Sequence, residues 1–123
     1  IDEFLKSLEP VESPYRVDGK LTRNAKKGRK IFEKAGCAKC HPEPLYTDTQ
    51  PYNVGVGTGR EEGQVFDTPM LVENWRTAPF LYDGRAATMR DVLTTFNKQD
   101  KHGKTTNLSD EELADLTEFI LSQ

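Results

Sequence analysis

The strongest constraint on this fold is the density of proline and glycine between residues 42 and 69. Proline removes a backbone donor and glycine adds conformational freedom, so this stretch does not support a long helix or strand. The residues concerned include Pro42, Pro44, Pro51, Gly55, Gly57, Gly59 and Pro69. A loop this long is uncommon in a compact domain unless it wraps a ligand or carries function. We therefore predict a long loop with one or both of these roles.

The composition points the same way, because the chain is short of material for a core. Its 123 residues correspond to one domain. The apolar fraction, counting glycine but not tyrosine, is about 39%, against about 45–50% in ordinary globular domains. Charged residues make up 30% of the chain, and the mean hydropathy is −0.72. We expect a disulfide, a metal or a prosthetic group to fill part of the interior.

Charge and hydropathy exclude two classes of function. The net charge is −3, from 17 basic and 20 acidic residues, so the chain offers no basic field for nucleic-acid phosphates. No segment approaches the roughly 18 consecutive apolar residues of a membrane span. The chain begins at Ile1 without a methionine. We therefore expect either a trimmed mature protein that is monomeric, or a module of a larger chain.

Two helices are predicted before and after the long loop. Apolar side chains recur with helical period over residues 21–35, with Thr22 as the N-cap and Gly36 as the stop signal. A second, short helix is predicted from Thr88, its N-cap, through Phe96. In each helix the apolar side chains form a stripe along one face.

The clearest helix signal lies near the C-terminus. Ser109 and Glu112 form a capping box that opens a helix running nearly to the end of the chain. Residues 1–20 lack either period, and we interpret them as an entry arm to a domain that spans residues 21–123. The predicted fold class is all-α with long loops.

One pair of helices is expected to cross closely. Gly28 lets two helix axes approach, and Phe32, one turn later, locks the crossing against the last helix. The partner residues on the last helix are Leu116, Phe119 and Ile120.

The motif that carries chemistry follows the first predicted helix. The only two cysteines lie in the sequence CAKCH, as Cys37 and Cys40, with His41 adjacent. In a C-x-x-C-H motif each thiol adds to one vinyl group of haem, and the imidazole becomes the proximal iron ligand. A covalent haem would also supply the apolar volume that the composition lacks.

Three other interpretations of the cysteines remain open. They are a redox-active dithiol, which prefers a βαβ context that the sequence lacks; two ligands of a zinc site together with His41 or His102; and a structural disulfide. Zinc normally requires four protein ligands at zinc-type spacing. Covalent haem c is the interpretation that explains all three residues of the motif.

Two segments carry a family resemblance. GRKIFEKAGCAKCH resembles the opening of class I cytochromes c. DTPMLVENWRTAPFLYDGRAATMRDVLTTFN is similar to the C-terminal haem domain of the bacterial di-haem cytochrome c peroxidase/MauG group, and to monohaem modules of secreted proteins. The similarity covers about residues 21–123. It implies a class I cytochrome c fold, with crossed N- and C-terminal helices and long loops around one covalent haem.

The resemblance leaves the sixth iron ligand open. The position that carries the distal methionine in the peroxidase group is Phe96 here, and phenylalanine does not bind iron. The remaining candidates are His102, Met89, Met70 and an open iron site. A thioether raises the reduction potential, two imidazoles give a lower one, and an open site admits peroxide.

The resemblance also implies which polar residues contact the cofactor. The segment from Trp75 to Arg85 packs along the haem in relatives, so we expect Trp75, Arg76, Tyr82 and Arg85 to reach the haem propionates through charge-assisted hydrogen bonds.

These features predict an exported monohaem cytochrome c, periplasmic or secreted, that passes single electrons through its haem edge. Its partner would be a redox protein, such as an extracellular oxidoreductase, meeting it in a transient contact. The alternative is a haem enzyme with peroxidase-like activity at a vacant or labile sixth site. The sequence has no evident distal acid/base pair, so an electron-transfer protein is favoured over an enzyme.

Overall fold

The computed structural model describes all of residues 1–123. Its four α-helices are α1 (Asp2–Lys6), α2 (Arg23–Lys34), α3 (Met89–Leu93) and α4 (Asp110–Leu121). Three short 3₁₀ helices span Cys37–Lys39, Gly59–Glu61 and Asn74–Arg76. None of the helices combines the length and the apolar character needed to cross a membrane.

The prediction of an all-α fold is wrong, because the chain also forms two small antiparallel sheets. Strands β1 (Arg16–Val17) and β2 (Lys20–Leu21) pair in one sheet, and β3 (Pro51–Tyr52) and β4 (Phe66–Asp67) pair in the other. Each strand has only two residues, which is too short for an alternating pattern to show in the sequence.

The sequence did contain a local signal for the hairpin that forms the first sheet. Asp18 and Gly19 connect its strands, and both have positive φ, at 48° and 71°. Asp-Gly with two positive φ values is the favoured two-residue hairpin turn. No comparable signal marks the second sheet, since its strands are separated by a long loop.

The N-terminal arm contains more regular structure than predicted, in α1 and β1. It is tied to the end of α4 by two side chains. Ser13 Oγ donates to the carbonyl of Leu121 at 2.6 Å, and Arg16 Nε donates to that of Ser122 at 2.6 Å. The helix α1 itself buries no side chain.

The predicted caps of the main helices are confirmed. Thr22 Oγ1 accepts from the Ala25 N–H at 3.0 Å, and Gly36 takes a left-handed conformation with φ of 87° just after α2. Ser109 and Glu112 form the capping box that opens α4.

Helix α3 is shorter than predicted. It begins after Thr88, as expected, but ends at Leu93, so Phe96 lies outside it. Thr94 leaves the helical region, and its hydroxyl bonds back to the Arg90 carbonyl at 2.8 Å. A β-branched residue such as threonine has a lowered helix propensity, which disfavours continuation of the helix.

The core lies where α2, α3 and α4 meet. Gly28 of α2 packs against Asp115 and Phe119 of α4, so the close helix approach predicted at this glycine is confirmed. The rings of Phe32 and Phe119 meet edge to face, with centroids 5.3 Å apart. This crossing leaves one side of each helix facing the long loop.

Candidate functional site

A cavity of about 590 Å³ lies between the helical core and the long loop. Its size is within the range of roughly 300–1,000 Å³ that is typical of cofactor sites. The apolar part of the wall is shared by the three core helices and by the segments before and after them. It includes Phe32, Val54, Val56, Phe66, Leu71, Phe80, Leu81, Met89, Val92, Leu93 and Ile120.

Both cysteines of the motif line this cavity. The left-handed turn at Gly36 redirects the chain out of α2 into the 3₁₀ helix Cys37–Lys39. The carbonyl of Cys37 then accepts hydrogen bonds from the N–H groups of Cys40 at 3.2 Å and His41 at 2.9 Å. This tight turn brings all three motif side chains to one wall. The thiols are free, and burial raises the pKa of Cys37 to about 11.

His41 is buried and held in a defined orientation. Its Nδ1 lies 2.8 Å from the carbonyl oxygen of Tyr46. Because a carbonyl only accepts, this contact assigns the proton to Nδ1 and leaves Nε2 as the acceptor nitrogen. A histidine that ligates a metal usually donates its other N–H in this way. Burial lowers the pKa of His41, which keeps the ring neutral.

His102 faces His41 across the cavity. The two ring centroids are 6.4 Å apart, with the ring planes inclined by 34°. Metal–imidazole nitrogen bonds of about 2.0–2.1 Å, with each ring centre about 1.1–1.2 Å behind its nitrogen, place two ligating rings about 6.4 Å apart. Burial, and then repulsion from His41 in its protonated form, lowers the pKa of His102 to about 4. The separation of the two rings therefore matches that of two ligands on one metal.

The two methionine candidates also line the cavity, in different surroundings. Met89 is 8% exposed and belongs to the hydrophobic core cluster. Met70 is 51% exposed. Phe96 does not line the cavity, and its ring lies beneath the guanidinium of Arg85, at 5.1 Å.

Of the four residues predicted to contact the cofactor, only Tyr82 lines the cavity. Its ring stacks on Phe66, with centroids 4.6 Å apart. Arg85 supports Tyr82 from outside, with its guanidinium 5.6 Å from that ring, and donates to the Val56 carbonyl. Buried Arg85 Nε has no partner.

The other two predicted residues, Trp75 and Arg76, also do not line the cavity. Trp75 is partly buried, and its Nε1 is buried without a hydrogen-bond partner. Arg76 is exposed and pairs with Glu73 at 2.7 Å, so its charge is already neutralised.

Sequence reasoning missed Asn74, which lines the cavity and is only 5% exposed. Its Oδ1 and Nδ2 are both buried with no hydrogen-bond partner. Unsatisfied buried polar atoms are rare and costly, which indicates that a ligand completes them. Nothing in the sequence marked Asn74, because its importance depends on the cavity around it.

The donor set of this cavity fits a haem. It combines a large apolar wall, two thiols beside one imidazole, and a second imidazole opposite the first. The unpaired polar atoms of Asn74, which lines the cavity, are suited to the carboxylates or bound water of such a group.

Comparison with known proteins agrees with this geometry. The chain matches the cytochrome c-550 domain family over residues 17–123. It is 32% identical to the hydrazine synthase subunit gamma of Kuenenia stuttgartiensis, over 95% of this chain and 46% of that protein. It is 27% identical to the methylamine utilization protein MauG of Methylorubrum extorquens, over 95% of this chain and 40% of that protein.

Two further matches extend the comparison. The cytochrome-c peroxidase IdrP2 of Denitromonas iodatirespirans is 26% identical, over 80% of this chain and 39% of that protein. Among solved structures, hydrazine synthase of Kuenenia stuttgartiensis superposes with a TM-score of 0.86 and 29% identity, over 98% of this chain and 52% of that chain. The chain thus spans about half the length of the proteins it matches.

Proposed function

The chain belongs to the cytochrome c-550 domain family, and from this membership we propose that it is an electron-transfer module with one covalently attached haem c. Haem-based electron transfer is the general role of cytochrome c domains. A bound haem c supplies an iron that cycles between Fe(II) and Fe(III), one electron at a time. The chain's own residues attach that group, set its axial ligands and shield it from water.

In this proposal Cys37 and Cys40 would attach the haem through thioether bonds, and His41 and His102 would bind its iron. One observation carries the ligand assignment: the two imidazoles face each other with centroids 6.4 Å apart. The hydrogen bond from His41 Nδ1 to the Tyr46 carbonyl supports it, since it leaves Nε2 as the nitrogen that can bind iron. Two cysteines meet the requirement of one haem.

The polar residues around the cavity have separate roles in this proposal. Asn74 hydrogen-bonds the haem periphery from inside the cavity, and Tyr82 covers the cavity mouth. Trp75 and Arg85 do not line the cavity, so their unpaired donors would meet the propionates only where these extend beyond it. Arg76 contributes least, because Glu73 already pairs with it.

The chain's relatives include two cytochrome-c peroxidases and MauG, so peroxidase-like activity is the competing function. Such activity needs a vacant or easily vacated sixth position. The placement of a neutral His102 opposite His41 supports electron transfer instead. Two imidazoles also imply a lower reduction potential than a methionine ligand would give.

We also propose an exported location, periplasmic or secreted, because covalent haem attachment through this motif takes place outside the cytoplasm. The partner we propose is a redox protein, or the remainder of a larger assembly. The relative from Kuenenia stuttgartiensis is itself a subunit of hydrazine synthase, which supports a module that works beside other protein chains.

The test is to produce the protein with haem-attachment machinery and to record its mass and its ferric and ferrous spectra. We expect one covalent haem and a low-spin, six-coordinate iron without the long-wavelength band of a thioether–iron bond. His102→Ala should convert the ferric form to high spin. A high-spin ferric wild type that reacts rapidly with peroxide would overturn the electron-transfer assignment, and a protein without covalent haem would overturn the proposal as a whole.

A further inference from the structure

Asn97 is a buried side chain that lies outside the cavity and yet contacts the segment that carries His102. It is 3% exposed. Its Nδ2 donates to the carbonyls of His102 at 3.2 Å and Gly103 at 2.8 Å, and to Thr105 Oγ1 at 2.8 Å. Its Oδ1 accepts from the His102 N–H at 2.8 Å. Every polar atom of this amide is therefore directed at the residues around His102.

The orientation of the Asn97 amide is dictated by its partners. The His102 N–H only donates, so it requires the amide oxygen, whereas the two carbonyls only accept, so they require the amide nitrogen. A flipped amide would lose all of these contacts. No residue without both a donor and an acceptor at this length reproduces the arrangement.

The same loop, residues 97–106, is closed a second time by Asp100. Its carboxylate accepts from the N–H groups of Thr105 at 2.8 Å and Thr106 at 2.9 Å, and from Thr106 Oγ1 at 2.6 Å. Thr105 Oγ1 in turn donates to the Leu93 carbonyl at the end of α3, at 2.6 Å. The loop is thus bonded to the helix that lines the cavity.

A third set of contacts joins this loop to the cysteine motif. The Lys104 N–H donates to the carbonyl of Ala35, at the end of α2, at 2.9 Å. Gly103 has a φ of 83°, and a Cβ there would lie 3.4 Å from Cys37 Sγ. The backbone beside His102 is therefore packed against the same turn that presents His41.

We propose that Asn97 is a positioning residue that holds His102 against the iron and so keeps the sixth coordination site closed. The inference rests on the proposed function, in which His102 is an axial ligand. A small ligand from solution binds the iron only in molecules whose His102 has moved away, and its apparent affinity scales with that fraction. Asn97 bonds both the N–H and the carbonyl of His102 and, through Thr105, ties them to α3, which keeps this fraction small. It biases the domain toward electron transfer and away from peroxide chemistry.

The test measures binding of cyanide to the ferric protein and of carbon monoxide to the ferrous protein, with the high-spin fraction recorded in parallel. For Asn97→Ala we expect the apparent affinity for each probe to rise about tenfold or more, because the population with His102 displaced increases. Thr105→Val keeps the shape of the side chain but removes the hydroxyl that links Asn97 to Leu93. Thr105→Val should raise the apparent affinity for each probe by less than Asn97→Ala does. It provides the measurement if Asn97→Ala does not fold.

A matched control distinguishes the positioning role of Asn97 from a purely structural one. Leu113→Ala empties part of the core in α4, at a residue that is 6% exposed and does not line the cavity. It should lower the melting temperature while leaving probe affinity and spin state unchanged. If Leu113→Ala raises probe affinity as much as Asn97→Ala, or if Asn97→Ala and Thr105→Val stay within about twofold of wild type, the positioning role is overturned.

His102→Ala distinguishes this inference from the proposed function. If His102→Ala opens the iron to cyanide and carbon monoxide while Asn97→Ala does not, only the role of Asn97 fails. If His102→Ala leaves the spectrum and both affinities unchanged, the axial role of His102 fails, and the inference falls with it.

Discussion

Gly28 of α2 packs directly against the backbone carbonyl of Asp115 in α4. A Cβ built on Gly28 would lie 2.0 Å from that oxygen and 2.8 Å from Phe119 Cβ. Backbone atoms cannot swing aside as a flexible side chain does. The helices therefore meet at this distance only because residue 28 has no side chain.

Gly28→Ala is expected to force α2 and α4 apart. Overpacking typically costs about 1–3 kcal/mol, and we expect the upper end of that range because the obstacle is backbone. Denaturant unfolding of the haem-loaded protein measures the loss. Lys26→Ala, on the exposed side of α2, is the control and should change stability by less than about 0.5 kcal/mol. Equal stability of Gly28→Ala and wild type would contradict the packing described.

Replacement of Asn74 should alter the cofactor environment without removing a ligand. Asn74→Leu fills a similar volume but withdraws the donor that we assign to the haem periphery. We expect a lower reduction potential, because the negative charge of the haem propionates would be less compensated and would stabilise Fe(III). Redox titration measures this shift. Arg76→Ala, whose side chain is exposed and paired with Glu73, is the control and should leave the potential close to that of wild type.

Met89→Leu tests the choice between His102 and the buried methionine candidate as the iron ligand. Leucine and methionine have similar volumes, so the stability cost should be below about 1.5 kcal/mol. With His102 as the ligand, the low-spin ferric spectrum should be unchanged. A high-spin spectrum for Met89→Leu, together with an unchanged spectrum for His102→Ala, would assign the sixth position to methionine.

Acid should release the N-terminal arm through Glu73. The Val11 N–H, and then Arg76, lowers the pKa of the Glu73 carboxyl below its usual range. Because the folded-state pKa is the lower one, the stabilisation is complete above the unfolded value of about 4.3 and is lost as the pH falls through the folded value. Hydrogen exchange or limited proteolysis of residues 1–15 measures the release.

Glu73→Gln should remove this pH dependence, since the amide does not titrate. Glu9→Gln changes an exposed carboxylate of the same arm and should behave as wild type. Release of the arm at the same pH in wild type and Glu73→Gln would contradict the role of Glu73.

Local features of the fold could be predicted from the sequence because their causes lie within a few residues. The caps at Thr22 and Ser109 each act on an N–H three residues away. The Asp18–Gly19 hairpin belongs to the same class, and its signal was present although the all-α prediction passed over it. The end of α3 at Leu93 had no comparable local signal, because the apolar stripe continues through Phe96.

The haem-attachment motif can be identified from the sequence alone, since Cys37, Cys40 and His41 lie within five residues and need no tertiary contact to form it. Tertiary structure alone decided what faces that motif. His102 is 61 residues from His41 along the chain, and its ring reaches the cavity because Asn97, Asp100 and Ala35 hold its loop there. Asn74 likewise became a candidate only when folding buried its amide in an apolar wall. The physical reason is that burial and ligand separation arise from contacts between distant segments, which local spacing does not encode.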